Sequence, residues 1–401
     1  MSWEIKKLNE CCISIADGDH LPPPKSETGV PFVTIANVDS YNHFDFTDTM
    51  FVPQSYYDKL DDKRKARKGD ILLTVVGSFG IPILITDDTP FVFQRHIAIL
   101  RPNPAVVDSR FLYYTMMSKS FYAQADAYAI GAAQRTISLT SLRRMKIAVP
   151  DLETQRKIAD TLAPFDSLID SNNKQIKILE QITETIYKEW FVRFRFPGYE
   201  TAEFEDGIPV GWEYKKINEM FDTSSGGTPS RSNPEYYDGG TIGWVKTGEL
   251  LDTLIIDTEE HITSAGLQNS AAKLIPIGAL LCSMYAGVGK LGITTKEITC
   301  SQATCVFMPK SYVSNIFMFH FLKLNKKYLE NISFGAAQQN ISQVIINKIK
   351  FLVPKKELVV EYDKRVENIY KQIYTIMLKN KNLIKQRDLL LPRLMSGKLE
   401  V

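Results

Sequence analysis

No apolar run in the 401 residues approaches the length needed to cross a bilayer, and the opening Met1-Ser-Trp-Glu-Ile-Lys6 lacks the apolar core of a signal peptide. A cytoplasmic protein with no membrane role is expected. Cysteine is scarce: Cys11, Cys12, Cys282, Cys300 and Cys305 are odd in number and include no Cys-x-x-Cys pair. They read as reduced thiols packed near strand-like runs, not as a disulfide framework or a metal site. The five histidines are scattered, which argues against zinc. An excess of either charge is also missing, since 48 basic residues face 46 acidic ones. That balance neither demands nor excludes a nucleic acid, because a basic face can be offset elsewhere. What is present, 44% hydrophobic and 23% charged residues, is the composition of a globular chain of two or three domains.

The chain contains a repeat of about half its length. From Asp151 to Phe196 apolar residues recur at alternating steps of four and three, with Ile158, Leu162, Ile169, Asn172, Ile176 and Leu179 on a stripe that runs on to Trp190. So narrow a seam on a long helix requires a partner helix. Adding 204 to each number finds it, in a stripe from Tyr362 through Ile373, Ile376, Asn380 and Leu383 to Leu394. The same offset lays Gly131-Ala-Ala-Gln134 through Pro150 on Gly335-Ala-Ala-Gln338 through Pro354, with nine of twenty positions identical. Trp3 to Glu10 aligns with Trp212 to Glu219 at an offset of 209, six of eight agreeing. The chain is a tandem duplication, each unit a globular part followed by a long helix.

Short β-like runs at Val30 to Ile35, Ile71 to Val76 and His96 to Leu100 mix with helical patches at Ser55 to Lys65 and Ser109 to Gln124. The second unit repeats the mixture, with strands expected at Ile242 to Val245, Ala279 to Ser283 and Ala303 to Phe307, and a helix from Val313 to Lys327. The fold class is α+β, divided as 1–150, 151–196 (first long helix), 197–354 and 355–401 (second long helix and tail). Pro164 predicts a local kink, and Pro197-Gly198 a stop near Phe196. An antiparallel coiled coil is expected, with Asn172 sharing a layer with Asn380. That register sets Ile176 against Ile376, Leu179 against Ile373, Ile169 against Leu383, and Trp190 against Tyr362.

Several motifs together resemble a family. They are Gly29-Val-Pro-Phe-Val33, Lys68-Gly-Asp-Ile-Leu72 and Val76-Gly-Ser-Phe-Gly80 in the first unit, and Gly226-Gly-Thr-Pro-Ser230, Gly240 to Gly248 and Ala286-Gly-Val-Gly289 in the second. Glu189-Trp-Phe-Val192 and Leu391-Pro-Arg-Leu-Met-Ser-Gly397 follow the two helices. The chain resembles the specificity subunits of type I restriction-modification systems, over nearly its whole length. It departs where the family often has Glu-Gln at each helix start, with Thr154-Gln155 and Leu358-Val359 there. The resemblance implies two target-recognition domains on helical spacers, binding double-stranded DNA. It implies two modification subunits as partners, with S-adenosylmethionine, and restriction subunits that translocate DNA with ATP and Mg. No cofactor is expected in this chain.

Reading base edges takes paired donors and acceptors, chiefly Arg, Lys, Asn and Gln. Gln94-Arg95-His96 in the first unit falls where Ser301-Gln302 stands in the second, and Gln134-Arg135-Thr136 where Gln338-Gln339-Asn340 stands. Such groups equally suit turn capping, but a kept frame with altered tips suits two readers of two half-sites. Arg135 and Gln339 are expected each to serve one half-site. The loops with Gly77, Ser78, Gly287, Gly289 and Lys290 offer backbone amides to phosphate or simply turn the chain.

Catalytic patterns fail. Lys290 is followed by Leu291 where a P-loop needs Ser or Thr, and Met284 stands in place of its first Gly. Asn233-Pro-Glu-Tyr236 lacks the second proline of an adenine methyltransferase loop. Behind Asp151 and Glu153, Gln155 holds the place of a nuclease lysine, and acidic residues favour a helix start anyway. A non-catalytic DNA-specificity subunit is the reading, with the helix pair setting half-site spacing. A DNA-modifying enzyme and a coiled-coil protein scaffold are the alternatives.

Overall fold

The computed structural model describes residues 3–20, 22–47, 49–131, 134–285, 287–335 and 340–400. Two compact units emerge. One takes 1–170 with 382–401, and the other takes 171–381. Each is assembled from both halves of the sequence, because each contains a segment of both long helices.

In the first unit a four-stranded sheet runs in the order Cys12–Asp17, Ile97–Pro102, Ile71–Thr74, Pro82–Leu84, all neighbours antiparallel. Its central strands are apolar at most positions because both faces are covered, with Thr74 and Arg101 the exceptions. Ile71, Leu73, Ala98 and Leu100 point into one core, and Leu72, Ile97 and Ile99 into another, as the two-residue period of a strand requires. The first core is closed by Phe111 and Leu112 and by Ile158, Leu162, Leu391 and Leu394 of the long helices. A three-stranded sheet orders Met50–Val52, Val30–Val33, Val92–Phe93.

The second unit repeats this plan. Phe221–Ser225, Thr304–Pro309, Leu280–Ser283 and Leu291–Thr294 stand in the corresponding order, with Thr253–Ile255 added parallel at the edge. Glu260–Ile262, Ile242–Val245 and Thr299–Cys300 form its three-stranded sheet. Leu280, Cys282, Cys305 and Phe307 alternate with Leu281 and Val306 between two cores. Four cysteines are buried and Cys12 is half-buried, all as free thiols.

The long helices span Leu152–Tyr187 and Lys356–Met395. Pro164 lies within the first without ending it. A single π-turn, Lys188–Val192, closes that helix short of Phe196, because Phe194 adopts a left-handed φ of 58°. The expected patch from Ser109 is two helices, Ser109–Met117 and Lys119–Tyr128, since Ser118 leaves the helical region and caps the second through the Phe121 amide. Ser55 to Lys65 likewise resolves into a short helix, Gln54–Asp58, and a 3-10 turn, Asp62–Arg64, the latter capped by Asp61. The patch after Val313 becomes Asn315–Leu324 and Lys326–Asn331. No described helix is long and apolar enough to cross a membrane.

Candidate nucleic-acid interface

In the first unit three of the sequence-marked segments converge. Gly77 N donates to Arg135 O at 3.0 Å and Ile137 N to Val75 O at 2.8 Å, so the loop around Gln134 lies along the end of the Ile71–Thr74 strand. Ile130 and Thr136 exchange backbone bonds across the base of that loop. Beside it Gln94 and Arg95 turn out of the sheet: Gln94 N reaches Val33 O at 3.2 Å and Arg95 N reaches Asp19 O at 3.0 Å. A glycine is needed opposite, because a Cβ on Gly18 would sit 2.1 Å from Phe93 O. Gly226 has the same role in the second unit, 2.1 Å from Cys300 O.

The result is a cleft of about 300 Å³ lined by Arg95, His96, Gln134 and Thr136, with Asp17 and His20 at its edge. Arg95 and Gln134 are exposed. His96 is half-buried, and partial burial with Arg95 alongside lowers its pKa, which favours the neutral ring that both donates and accepts. Arg135 behaves differently. Its guanidinium is committed to the Asp126 carboxylate and backbone carbonyl, and it lies 5.3 Å from the Phe79 ring centroid. Arg135 therefore braces the loop that presents Gln134 and Thr136.

The glycine loops are hydroxyl-stapled turns. Thr74 Oγ1 donates to Ser78 O at 2.8 Å and accepts from Ile81 N at 3.0 Å, and Gly80 N returns to Thr74 O. In the second unit Ser283 Oγ donates to Gly287 O and accepts from Lys290 N at 2.9 Å, while Gly289 N reaches Ser283 O at 3.0 Å. The amides of Gly77, Gly80, Gly289 and Lys290 are thus used inside the fold rather than turned toward a phosphate. Gly77, Ser78 and Gly287 are exposed, Gly289 is buried, and the Lys290 side chain is half-buried. Sequence reasoning passed over Thr74 and Ser283, although the 209 offset sets one on the other.

Gln302 is exposed, and Asn340 bridges both Tyr285 and Phe334 as Thr136 bridges Val76 and Ile130. Gln338 and Gln339 lie outside the described residues. At the helix start, Asp151 Oδ1 accepts from Thr154 N at 2.9 Å, a cap. Gln155 is fully buried and joins Asp108 N, Val106 O and Pro150 O at 2.8, 3.1 and 2.8 Å, pinning helix to domain. No group of three or more metal-ligating side chains occurs among the described residues.

Between the long helices, Asn172 Nδ2 donates to Asn380 Oδ1 at 2.7 Å, and Asn380 Nδ2 to Asn173 Oδ1 at 2.8 Å. Further along, Trp190 and Tyr362 rings lie 6.1 Å apart, so the segments run antiparallel. Ile373 and Ile376 are buried, and Ile176 and Leu179 are half-buried against the second unit's core. In the first unit Ile169 is buried and Leu383 half-buried.

Comparison with known proteins gives one answer. The type I restriction modification DNA specificity domain matches residues 2–181 and again 209–391. A type I restriction enzyme HindI specificity subunit of Haemophilus influenzae is 25% identical, over 84% of this chain and 88% of the relative. The MjaIX specificity subunit of Methanocaldococcus jannaschii is 24% identical, over 100% and 94%. The crystal structure of a type I restriction-modification system S subunit from M. genitalium shares the fold at a TM-score of 0.50 and 17% identity, covering 98% of this chain and 96% of that one.

Proposed function

This chain belongs to the type I restriction-modification DNA specificity family, of which it carries two domains, and we propose that each domain reads one half of a bipartite double-stranded target. The observation that carries this reading is the repeated frame with altered tips. The stapled loops, the close-approach glycines and the bridges at Thr136 and Asn340 match between units, while Arg95 faces Gln302 and Thr136 faces Asn340 in type. A shared scaffold fixes where the side chains stand, and the exchanged side chains present different donor and acceptor patterns to base edges.

In the first unit Arg95, His96, Gln134 and Thr136 are the readers, with Arg135 as their brace. In the second they are Gln302 and Asn340, with Gln338 and Gln339 assigned by sequence. The antiparallel helices set the spacing between half-sites, and their outward faces receive two modification subunits. Those subunits supply methyl transfer from S-adenosylmethionine, and restriction subunits supply ATP- and Mg-dependent translocation and cleavage. This chain itself contributes recognition and no chemical step.

The test is a map of methylated sites in host DNA for the wild type, then for variants. Arg95→Ala should weaken binding by roughly 1 to 3 kcal/mol when the first half-site is intact, and relax that half-site alone. Equal relaxation of both halves would overturn the one-domain, one-half assignment. Inserting a heptad into both long helices should lengthen the unread spacer, and an unchanged methylated sequence would refute the helix pair as ruler.

A further inference from the structure

A second concavity in the first unit, of about 670 Å³, runs alongside the strand Cys12–Asp17 and adjoins the cleft of Arg95, since Asp17 and Leu139 line both. Lys63, Arg64 and Arg143 project into it from two separate segments. Arg64 is neutralised by Asp17 at 3.6 Å and Asp19 at 3.4 Å. Arg143 is not: its Nη2 donates to the Ile15 backbone carbonyl at 2.6 Å, which fixes the guanidinium without cancelling its charge. Among the described residues neither Arg143 nor Lys63 forms an ion pair. Of the carboxylates that share the groove, Asp17 pairs with Arg64 and with His20 at 2.8 Å, while Asp61 accepts from the Lys63 amide at 2.9 Å and keeps its charge, against which stand the two cations Lys63 and Arg143.

The second unit is different at the matched positions. Arg143 becomes Asn347, whose Oδ1 accepts from Thr223 Oγ1 at 2.7 Å, and Gln343 Nε2 donates to Thr223 O at 2.8 Å. The Arg95 position is Gln302; Gln339 replaces Arg135, whose charge Asp126 already holds in the first unit. Lys290, where the first unit has Ile81, is the one exchange in the other sense at the sites compared.

We propose that the groove along Cys12–Asp17 is a site for DNA backbone phosphates, with Arg143 and Lys63 as its cations, so that the charge-driven part of DNA binding is concentrated in the first unit. The proposal rests on the DNA-recognition reading above. A rigidly held guanidinium and a free ammonium beside a base-reading cleft suit phosphate oxygens, and each phosphate neutralised releases counterions.

The test measures affinity against salt for the complex with its modification partners, on a duplex bearing the mapped target and on an unrelated duplex of equal length. Arg143→Gln and Lys63→Gln should each flatten the slope of log K against log salt by about 0.9 on both duplexes, and Arg143→Lys should keep the wild-type slope. Should Arg143→Gln fail to fold, Lys63→Gln carries the measurement alone. An unchanged slope, or a loss confined to the target duplex, overturns the phosphate assignment. Failure of the underlying reading looks different, since wild-type complex would then bind both duplexes equally.

Discussion

The two units solve one packing problem with different chemistry. Where the long helices meet the globular part of the first unit, Asp166 accepts from Tyr114 Oη at 2.6 Å and from Arg387 Nη1 at 2.6 Å. At the matched positions of the second unit stand His320, Tyr370 and Thr183. There Tyr370 Oη and His320 Nε2 are 3.1 Å apart, and Thr183 is fully buried. The preceding caps differ too: Asp108 caps the helix of Tyr114, and Ser314 caps that of His320. One junction is a half-buried ion pair with a phenol, and at the matched positions of the other the three side chains are neutral. Duplication thus preserved the place where helix meets domain without preserving what holds it: the first junction pairs two charges, while in the second His320 meets Tyr370 through Nε2 and its buried Nδ1 has no partner among the described residues.

The sharpest way to break that comparison is to remove the cation. Arg387→Ala leaves a half-buried Asp166 beside only a phenol and should cost roughly 2 to 3 kcal/mol in urea unfolding of the full chain. Thr183→Ala, the matched change, should cost about 1 kcal/mol. Equal losses would show the two junctions to be energetically alike.

Next in size is the polar layer between the helices. Asn380 is buried and bonds both Asn172 and Asn173, so Asn380→Ala strands their amides at a cost of roughly 1 to 3 kcal/mol. Replacing Asn172 and Asn380 together by Leu should restore most of that stability. If the double variant is as unstable as the single one, the pair does not act as a unit.

Acid sharpens the comparison further. Burial lowers the His320 pKa to about 3, with Lys323 and Lys188 adding to the effect. The unfolded chain then binds the extra proton first, at its ordinary value near 6.5, so stability falls as pH drops below that value and levels off below about 3. Between pH 6.5 and 5.5 the loss attributable to His320 should be roughly 1 kcal/mol. Asp363, pushed up to about 6 by burial, acts in the opposite sense over the same range. The readout is therefore the difference between wild type and His320→Gln, and parallel pH curves would sink the assignment. Smallest of all, Tyr370→Phe should cost about 1 kcal/mol or less, the net worth of one neutral hydrogen bond.

The duplication, the two long helices, the central sheet strands and the Asn172–Asn380 layer are legible in the chain, because each rests on periodicity or on an offset between two copies, whereas edge strands such as Cys12–Asp17 and Pro82–Leu84 carry no such signal. The 3.5-residue seam fixes which helix faces meet, and a buried amide tolerates few partners. Sequence also marked Gln94, Arg95, His96, Gln134 and Thr136, since exposed polar side chains near glycine turns stand out from strand patterns. It did not reveal that Arg135 turns back onto Asp126 and Phe79, nor that Thr74 and Ser283 staple their loops. It did not show that Gln155, at a helix start, is wholly buried as a link to Asp108, Val106 and Pro150. Those outcomes depend mostly on partners far along the chain, Asp108 and Val106 lying 47 and 49 residues from Gln155. Local pattern determines which way a strand or helix turns its faces. Which of its polar side chains are consumed inside the fold, and which stay free to meet a ligand, was settled only when distant segments were brought within hydrogen-bond reach.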